Sequence, residues 1–154
     1  MPNSDTPNII APPPLIFFGI EAIGLLLNWL VPIHFLPDGF TWFVGLPLVI
    51  IGLWIGFMAF SAMRRAHTPV DPYEPSTTVV TDGPYRFTRN PIYVSFVIIY
   101  VGIASLFNAV WPLVLLPIAV IMVDRFVIVR EERYLQGKFG DAYTRYKATV
   151  RRWL

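Results

Sequence analysis

The stretch IYVSFVIIYVGIASLFNAVWPLVLLPIAVIMV, residues 92–123, contains no charged side chain. As one straight helix it would be about 48 Å long at 1.5 Å per residue, whereas the hydrocarbon core of a bilayer is about 30 Å thick. We therefore predict that it folds back on itself at residues 107–109, where Asn108 interrupts the apolar run. The result is a helical hairpin with membrane spans over about residues 92–107 and 111–129.

Two further apolar stretches precede this hairpin, and each is long enough to cross a bilayer. Residues 15–36 are apolar except for a few side chains, namely Glu21, Asn28, Pro32 and His34. Residues 40–63 contain no charge, and the turn before them carries Pro37, Asp38 and Gly39. Charged residues make up only 14% of the chain, against roughly 25% in soluble domains. We predict one all-α integral membrane domain, residues 1–154, with four transmembrane helices.

The distribution of basic residues supports this count. Every Lys and Arg lies at Arg64 or later, and most fall in residues 64–91 or 130–154. Short loops rich in Lys and Arg are typically cytoplasmic, and two such segments on one side require an even number of crossings between them. We therefore expect a cytoplasmic loop over residues 64–91, a cytoplasmic tail over residues 130–154 and both termini inside. The membrane would be a plasma membrane, or the inner membrane in a bacterium.

The tail is predicted to form amphipathic helices. A first helix runs from Glu131 to Gly140, which is a plausible C-terminal stop. Asp141 can cap a second helix, in which apolar and aromatic side chains repeat at helical spacing beside a group of cations. The repeating residues are Tyr143, Tyr146 and Val150, and the cations are Arg145, Lys147, Arg151 and Arg152. We expect this helix to lie at the membrane surface with its cations near anionic lipid.

Several kinds of site are excluded by residue type. The chain has no cysteine, so it has no thiolate nucleophile and no cysteine-bound metal. Its two histidines, His34 and His67, belong to opposite sides of the membrane in this topology, so we expect no metal site. There is no glycine-rich phosphate-binding motif, and we expect no nucleic-acid partner. Glu21, about two turns inside the first span, is predicted either to pair with a loop arginine or to line a polar cavity.

The remaining candidate residues lie at the two cytoplasmic ends of the hairpin. Arg89, Asn90, Pro91 and Tyr93 precede and open one span, and the Glu131–Glu132 pair follows the other. The hairpin should place these groups side by side. Arg89 can bind a carboxylate with its planar guanidinium, and the glutamates can accept hydrogen bonds from ammonium or hydroxyl groups. Such a pocket suits a zwitterionic cofactor that carries a ribose. Alternatively, Arg86 and Arg89 only form salt bridges with the glutamates.

These residues also carry a resemblance to a known family. The run from Gly83 to Tyr93, the glutamate pair and the later aromatic residues resemble the isoprenylcysteine carboxyl methyltransferases and the related phospholipid methyltransferases. The resemblance covers roughly residues 69–154. It implies S-adenosylmethionine as methyl donor and a lipophilic or lipid-linked acceptor, with Arg89 and Glu132 as catalytic residues. The implied cofactor-binding residues are Gly83, Pro84, Tyr85, Arg89, Asn90, Pro91, Tyr93, Glu131 and Glu132.

One departure from the family pattern concerns the acceptor. Asn90 stands where eukaryotic members often have histidine, which weakens the transfer of a prenylcysteine substrate to this chain. The leading interpretation is carboxyl O-methylation of a lipophilic or isoprenoid-linked acceptor at the cytoplasmic face of the membrane, with membrane lipid as the other partner. Phospholipid N-methylation is the alternative among enzymes. A non-enzymatic four-helix membrane protein, such as a carrier or assembly factor, is the alternative of another class.

Overall fold

The computed structural model describes residues 6–7, 9–37, 39–71 and 73–154. Within them the regular structure is helical and contains no strand. The α-helices are α1 (Pro13–Leu30), α2 (Thr41–Arg65), α3 (Pro91–Leu106), α4 (Val110–Val123), α5 (Val129–Phe139) and α6 (Asp141–Thr149). A short 3-10 helix, Gly83–Arg86, precedes α3, and a π-helical turn, Asp124–Ile128, joins α4 to α5. The turn residue Asp38 lies outside the described residues.

The protein is an all-α membrane protein. In the described part of the chain three helices are long and apolar enough to cross a bilayer: α1, α2 and the continuous helix Val110–Phe139. The fourth, α3, is apolar but has 16 residues, or about 24 Å at 1.5 Å per residue. The predicted all-helical membrane fold is thus confirmed, whereas the count of four crossings and their orientation stay predictions.

The first span is shorter than predicted. Helix α1 ends at Leu30 rather than near residue 36, and Val31 has an extended backbone with φ −131°. Because Pro32 follows Val31, the α conformation is disfavoured at Val31 by the proline ring. The helix therefore stops there, and residues 32–35, which begin the connection to α2, have no regular structure.

The hairpin turns where the sequence predicts. Helix α3 ends at Leu106 and α4 begins at Val110, and Asn108 between them has φ +48°, a left-handed conformation that asparagine tolerates better than most residues. The Asn108 side chain accepts hydrogen bonds from the backbone N–H of Phe35 (3.0 Å) and Leu36 (2.9 Å), and its amide donates to the Leu36 carbonyl (2.9 Å). This end of the hairpin is thereby joined to the α1–α2 connection.

Glycines bring α2 and α3 into close backbone contact. A Cβ atom on Gly52 would lie 2.6 Å from Ile99 Cγ1 and 2.9 Å from the Ser95 carbonyl oxygen, and one on Gly102 would lie 2.9 Å from Val49 N. Small residues allow such close approach between membrane helices, where dispersion contacts stabilise association. This packing holds the C-terminal end of α2 beside the N-terminal end of α3, where the candidate residues lie.

Helices α1, α3 and α4 enclose the main core. Phe17, Tyr100 and Val123 are fully buried there, and so are Val127 and Ile128 of the π-helical turn. The turn is therefore part of the packed interior rather than a frayed helix end. From it the chain continues directly into α5, which carries the glutamate pair.

Candidate active site

The approach to α3 is held by the last residues of the chain. The Arg89 backbone N–H donates to the Arg151 carbonyl (2.9 Å), and the Asn90 side-chain amide donates to the Arg152 carbonyl (2.8 Å). The Thr88 hydroxyl donates to the same Arg152 carbonyl (3.1 Å). Proline at position 91 then begins the helix, where its missing N–H costs nothing. The Asn90 side chain thus fastens the C-terminal segment to the start of α3.

Arg89 is only partly satisfied. Its NH2 atom lies 3.2 Å from Glu132 Oε1, and its side chain is 9% exposed. The Tyr143 hydroxyl also interacts with the Arg89 guanidinium, but the Nε and NH1 atoms are buried and have no partner in hydrogen-bond geometry among the residues that the structure describes. Buried polar groups are nearly always paired, and an unpaired one calls for an explanation such as a missing ligand. Arg89 therefore has two buried nitrogens whose N–H groups make no hydrogen bond within the described structure.

Glu132, in contrast to Arg89, has hydrogen-bond partners on both of its carboxylate oxygens. Arg152 donates to both of its oxygens, from Nε to Oε1 at 3.0 Å and from NH2 to Oε2 at 2.7 Å. Lys147 Nζ also lies near this carboxylate, 3.8 Å from Oε2. Together with Arg89, three cations surround this buried carboxylate. A salt bridge between Arg89 and Glu132 at the base of the hairpin is thus observed, while Arg86 is exposed.

Glu131 has a different environment. Its Oε1 accepts a hydrogen bond from the Tyr93 hydroxyl at 2.6 Å, so the first turn of α3 and the start of α5 are in direct contact. Burial raises the pKa of the Glu131 carboxyl to about 7; the Tyr93 hydrogen bond opposes this rise, and the charge of Glu132 adds to it. Near neutral pH both the protonated and the ionised form of the Glu131 carboxyl are therefore populated, so it can donate or accept a proton.

A single pocket unites most of the candidate residues. Its empty volume is about 870 Å³, part of which is open to solvent. The polar residues of its lining include Tyr85, Arg89, Asn90, Tyr93, Glu131 and Glu132. Its apolar residues include Met63, Val70, Val79, Val80, Pro91 and Ile92. A pocket with an apolar wall and a few convergent polar groups is the usual form of a small-molecule site.

Two of the predicted cofactor-binding residues do not line this pocket. Gly83 and Pro84 form the 3-10 helix that carries Tyr85 to the pocket wall. Gly83 has φ +59°, which glycine adopts without strain. The Tyr85 carbonyl then accepts a hydrogen bond from the Tyr146 hydroxyl at 2.7 Å. The glycine and the proline thus position the site rather than border it.

The loop between α2 and α3 closes one side of the pocket. The Ser76 N–H donates to the Tyr134 hydroxyl of α5 at 3.0 Å. Thr77 fastens the loop to its own beginning, since its N–H donates to Thr68 Oγ1 (3.0 Å) and its hydroxyl to the His67 carbonyl (2.8 Å). These hydrogen bonds fix residues 76–77 to α5 on one side and to the beginning of the loop on the other.

Several site residues escaped the sequence-based prediction. Arg152, expected near anionic lipid together with its neighbours, forms a two-pronged pair with Glu132 that the sequence analysis did not predict. Asp124 also binds Arg152, at 3.3 Å. The signal in the sequence was Asp124 itself, since an acid near the end of an apolar span usually has a partner. Tyr143 and Tyr146 are buried and line the pocket.

Glu21 lies apart from this site. It is 3% exposed and does not line the pocket. Its Oε1 has no hydrogen-bond partner within the described ranges, and no ion pair with a loop arginine is observed there. The predicted pairing with a loop arginine is therefore not seen.

The residues present fit a zwitterionic methyl donor such as S-adenosylmethionine. The unpaired N–H groups of Arg89 match a carboxylate, and the Glu131 carboxylate matches an ammonium group or ribose hydroxyls. Four tyrosines, Tyr85, Tyr93, Tyr143 and Tyr146, line the same pocket. Aromatic rings of this kind attract a positively charged centre.

Comparisons with known proteins agree with the resemblance. The sequence model of the phospholipid methyltransferase family matches residues 40–142, about two thirds of the chain. The chain is also 57% identical over 37 residues to an uncharacterized protein of Haemophilus influenzae; the match covers 24% of this chain and 59% of that relative's length. No solved structure matches the chain. The family match includes α2, which the resemblance did not use, as well as α3 and both glutamates. The chain therefore belongs to the phospholipid methyltransferase family.

Proposed function

We propose that the protein transfers a methyl group from S-adenosylmethionine to a lipophilic or lipid-linked acceptor. Membership of the family supports methyl transfer to a membrane lipid or a related acceptor. One structural observation carries the donor assignment: Arg89 has two unpartnered N–H groups within the described structure, in a pocket that also holds the Glu131 carboxylate. This pairing of an anion-binding and a cation-binding group matches the amino-acid part of the donor.

The residues have distinct roles in this proposal. S-adenosylmethionine, when bound, supplies a methyl group activated by its sulfonium. Arg89 donates from one of its unpartnered nitrogens, Nε or NH1, to the carboxylate of the ligand, since these two nitrogens lie on opposite edges of the guanidinium. Glu131 accepts hydrogen bonds from the ammonium or hydroxyl groups of the ligand. Tyr93 holds Glu131 in place through the 2.6 Å hydrogen bond. The pocket brings the reactants together, and such positioning can supply a large part of the rate enhancement in a simple displacement.

Glu132 contributes through Arg89. Both of its oxygens already accept hydrogen bonds from Arg152, so direct donor contacts would have to displace a strong pair. We propose that its charge orients the Arg89 guanidinium, which lies 3.2 Å away. Replacement of Glu132 by glutamine removes that charge with little change of shape.

Carboxyl O-methylation is the acceptor chemistry that we propose first. A carboxylate is already a nucleophile, so this reaction needs no base. The apolar residues of the pocket, among them Met63 and Ile92 at adjoining ends of α2 and α3, can hold the lipophilic part of the acceptor. Burial of that apolar surface stabilises the complex by about 25 cal/mol per Å².

N-methylation of a phospholipid amine is a second candidate, favoured by one observation. An ammonium group must lose a proton before it can attack, and Glu131, with its pKa raised to about 7 by burial, can take that proton near neutral pH. Labelled methyl groups separate the two chemistries. An ester product releases its label in alkali, whereas an amine product retains it.

The test of the donor assignment is titration of the detergent-purified full-length protein with S-adenosylmethionine by calorimetry. We expect saturable binding by the wild type and loss of binding by Glu132→Gln. Glu74→Gln is the matched control, because Glu74 is exposed and outside the pocket. Wild-type affinity in Glu132→Gln would contradict the role of Glu132, and absence of binding by the folded wild type would contradict the function.

We also propose that the pocket opens to the cytoplasm and that four spans place both termini there. The support is the concentration of basic residues at the pocket end of the helices. Because the chain has no cysteine, single cysteines at Arg86 and Phe107, both exposed, report on the two ends. In sealed vesicles of known orientation, Arg86→Cys should react with a membrane-impermeant thiol reagent from the cytoplasmic side, and Phe107→Cys from the other. The reverse labelling would contradict this orientation.

A further inference from the structure

The C-terminal segment, residues 150–154, crosses from α6 back to the start of α3. Val150 leaves α6 with an extended backbone, φ −121° and ψ 133°. The next two carbonyls accept the hydrogen bonds from residues 88–90 described above. Trp153 packs against the main core and donates from Nε1 to Asp124 Oδ1 at 3.1 Å. The segment is therefore fixed to residues 88–90 by its carbonyls and to the main core and Asp124 by Trp153. Arg152 lies within this fixed segment.

The Arg152 side chain connects two acids of the long helix. Its Nε and NH2 bind Glu132, and its NH1 lies 3.3 Å from each oxygen of Asp124. In an α-helix, residues eight apart differ in direction by about 80°, since each residue turns by about 100°. The π-helical turn Asp124–Ile128 lies between the two acids and takes more residues per turn because its hydrogen bonds span five residues. It brings Asp124 and Glu132 closer to one line, within reach of one guanidinium.

Arg152 and Arg89 share Glu132. Oε1 of Glu132 lies 3.0 Å from Arg152 Nε and 3.2 Å from Arg89 NH2. Arg89 therefore has only one nitrogen on this carboxylate, and its Nε and NH1 stay without a partner in the described residues. Without Arg152, Glu132 could turn both oxygens toward Arg89, and arginine and carboxylate then favour a two-pronged pair. That pair would use NH2 together with Nε or NH1, and would so consume one of the two N–H groups that a ligand could bind.

We propose that Arg152 is a positioning residue of the donor site: it occupies Glu132 and thereby keeps the free N–H groups of Arg89 available for the donor's carboxylate. This inference rests on the proposed function. The inference identifies the carboxylate as the part of the donor whose binding depends on Arg152, although Arg152 contacts Glu132 and not the ligand.

The test compares two ligands that differ in that carboxylate, S-adenosylmethionine and its decarboxylated form. Their affinities for the full-length protein are measured by calorimetry, together with the thermal midpoint of each variant. We expect Arg152→Ala to weaken binding of S-adenosylmethionine about tenfold, the effect of losing one charged hydrogen bond, and to leave the decarboxylated ligand unaffected. Arg152→Lys should show a smaller loss of the same selectivity. Lysine keeps a positive charge near Glu132, but its ammonium group cannot make the two-pronged pair.

Arg151→Ala is the matched control, because the Arg151 side chain is exposed and only its carbonyl serves the site. It should bind both ligands like the wild type. Equal weakening of both ligands by Arg152→Lys and Arg152→Ala would indicate a general structural defect and overturn the inference, as would wild-type affinity in both variants. A wild type that binds neither ligand would contradict the proposed function, whereas a wild type that binds both equally well would contradict the carboxylate contact alone.

Discussion

The two ends of the α3–α4 hairpin differ in how completely their polar side chains are paired. At one end Asn108 uses both its carbonyl and its amide on the α1–α2 connection. At the other end Arg89 makes one contact to Glu132 and leaves two nitrogens unpaired within the described structure. Both side chains are polar groups beside apolar helices, where unpaired groups are costly.

Under the proposed function, this difference separates a structural joint from a ligand-binding site. A joint gains stability by pairing all of its polar atoms, whereas a site must leave some of them for the ligand. The saturated shell around Glu132 makes this possible, because Arg152 anchors the acid while Arg89 stays partly free. The predictions below test this contrast, in order of expected effect.

Loss of the Arg89 guanidinium should have the largest effect, and on binding. We expect Arg89→Ala to weaken S-adenosylmethionine binding at least 100-fold, about 3 kcal/mol, since a charge-assisted hydrogen bond and the buried positive charge opposite the carboxylate are both lost. Arg86→Ala, the same change at an exposed neighbour, should bind normally. Calorimetry measures both. An Arg89→Ala variant that binds like the wild type would remove Arg89 from the site.

Loss of Asn108 should act on stability instead. We expect Asn108→Ala to lower the free energy of unfolding by about 2 kcal/mol, because it loses three hydrogen bonds and places a Cβ-bearing residue without such bonds at positive φ. Asn108→Gly should cost less, since glycine accepts that backbone conformation. Thermal unfolding in detergent gives the ranking, and donor affinity should stay unchanged in both. Weakened binding would show that the two ends are coupled.

The helix contact between the two ends gives the next effect. Gly52→Ala places a methyl group 2.6 Å from Ile99 Cγ1, and we expect a destabilisation of about 1.5 kcal/mol from overpacking. Gly19→Ala is the matched control, as its new Cβ would meet no atom within 4 Å. It should be neutral or slightly stabilising. Equal thermal midpoints for the two variants would argue against close α2–α3 packing.

Glu131 should give the smallest effect, visible as a pH dependence. Its pKa is raised to about 7 by burial, so the carboxyl is largely protonated at pH 6 and largely ionised at pH 8. Because a cationic ligand favours the ionised form, affinity for S-adenosylmethionine should rise up to about tenfold between these values. Glu131→Gln should bind more weakly and lack this component of the rise. Parallel profiles for the two proteins would exclude Glu131 from ligand binding.

Much of the helical fold can be predicted from the sequence. An uncharged run too long for one crossing requires a turn, and Asn108 marks it, because apolar length and turn residues are local properties. The end of α1 was missed, although Pro32 in the sequence already disfavours helix at Val31. The crossing count stays a prediction because α3, with 16 residues, is short for a bilayer.

The sequence also determined which chemical groups are available: Arg89, Tyr93 and the glutamate pair at adjoining helix ends, with no thiol and no histidine cluster among the candidates. Only the tertiary structure decided how they are shared. Arg152 lies far along the chain from Arg89, and its pairing with Glu132 depends on the path of the C-terminal segment and on the rotation introduced by the π-helical turn. Local patterns specify a helix and the residues on it. Which carboxylate each arginine binds depends on long-range packing, and this decides which N–H groups remain free for a ligand.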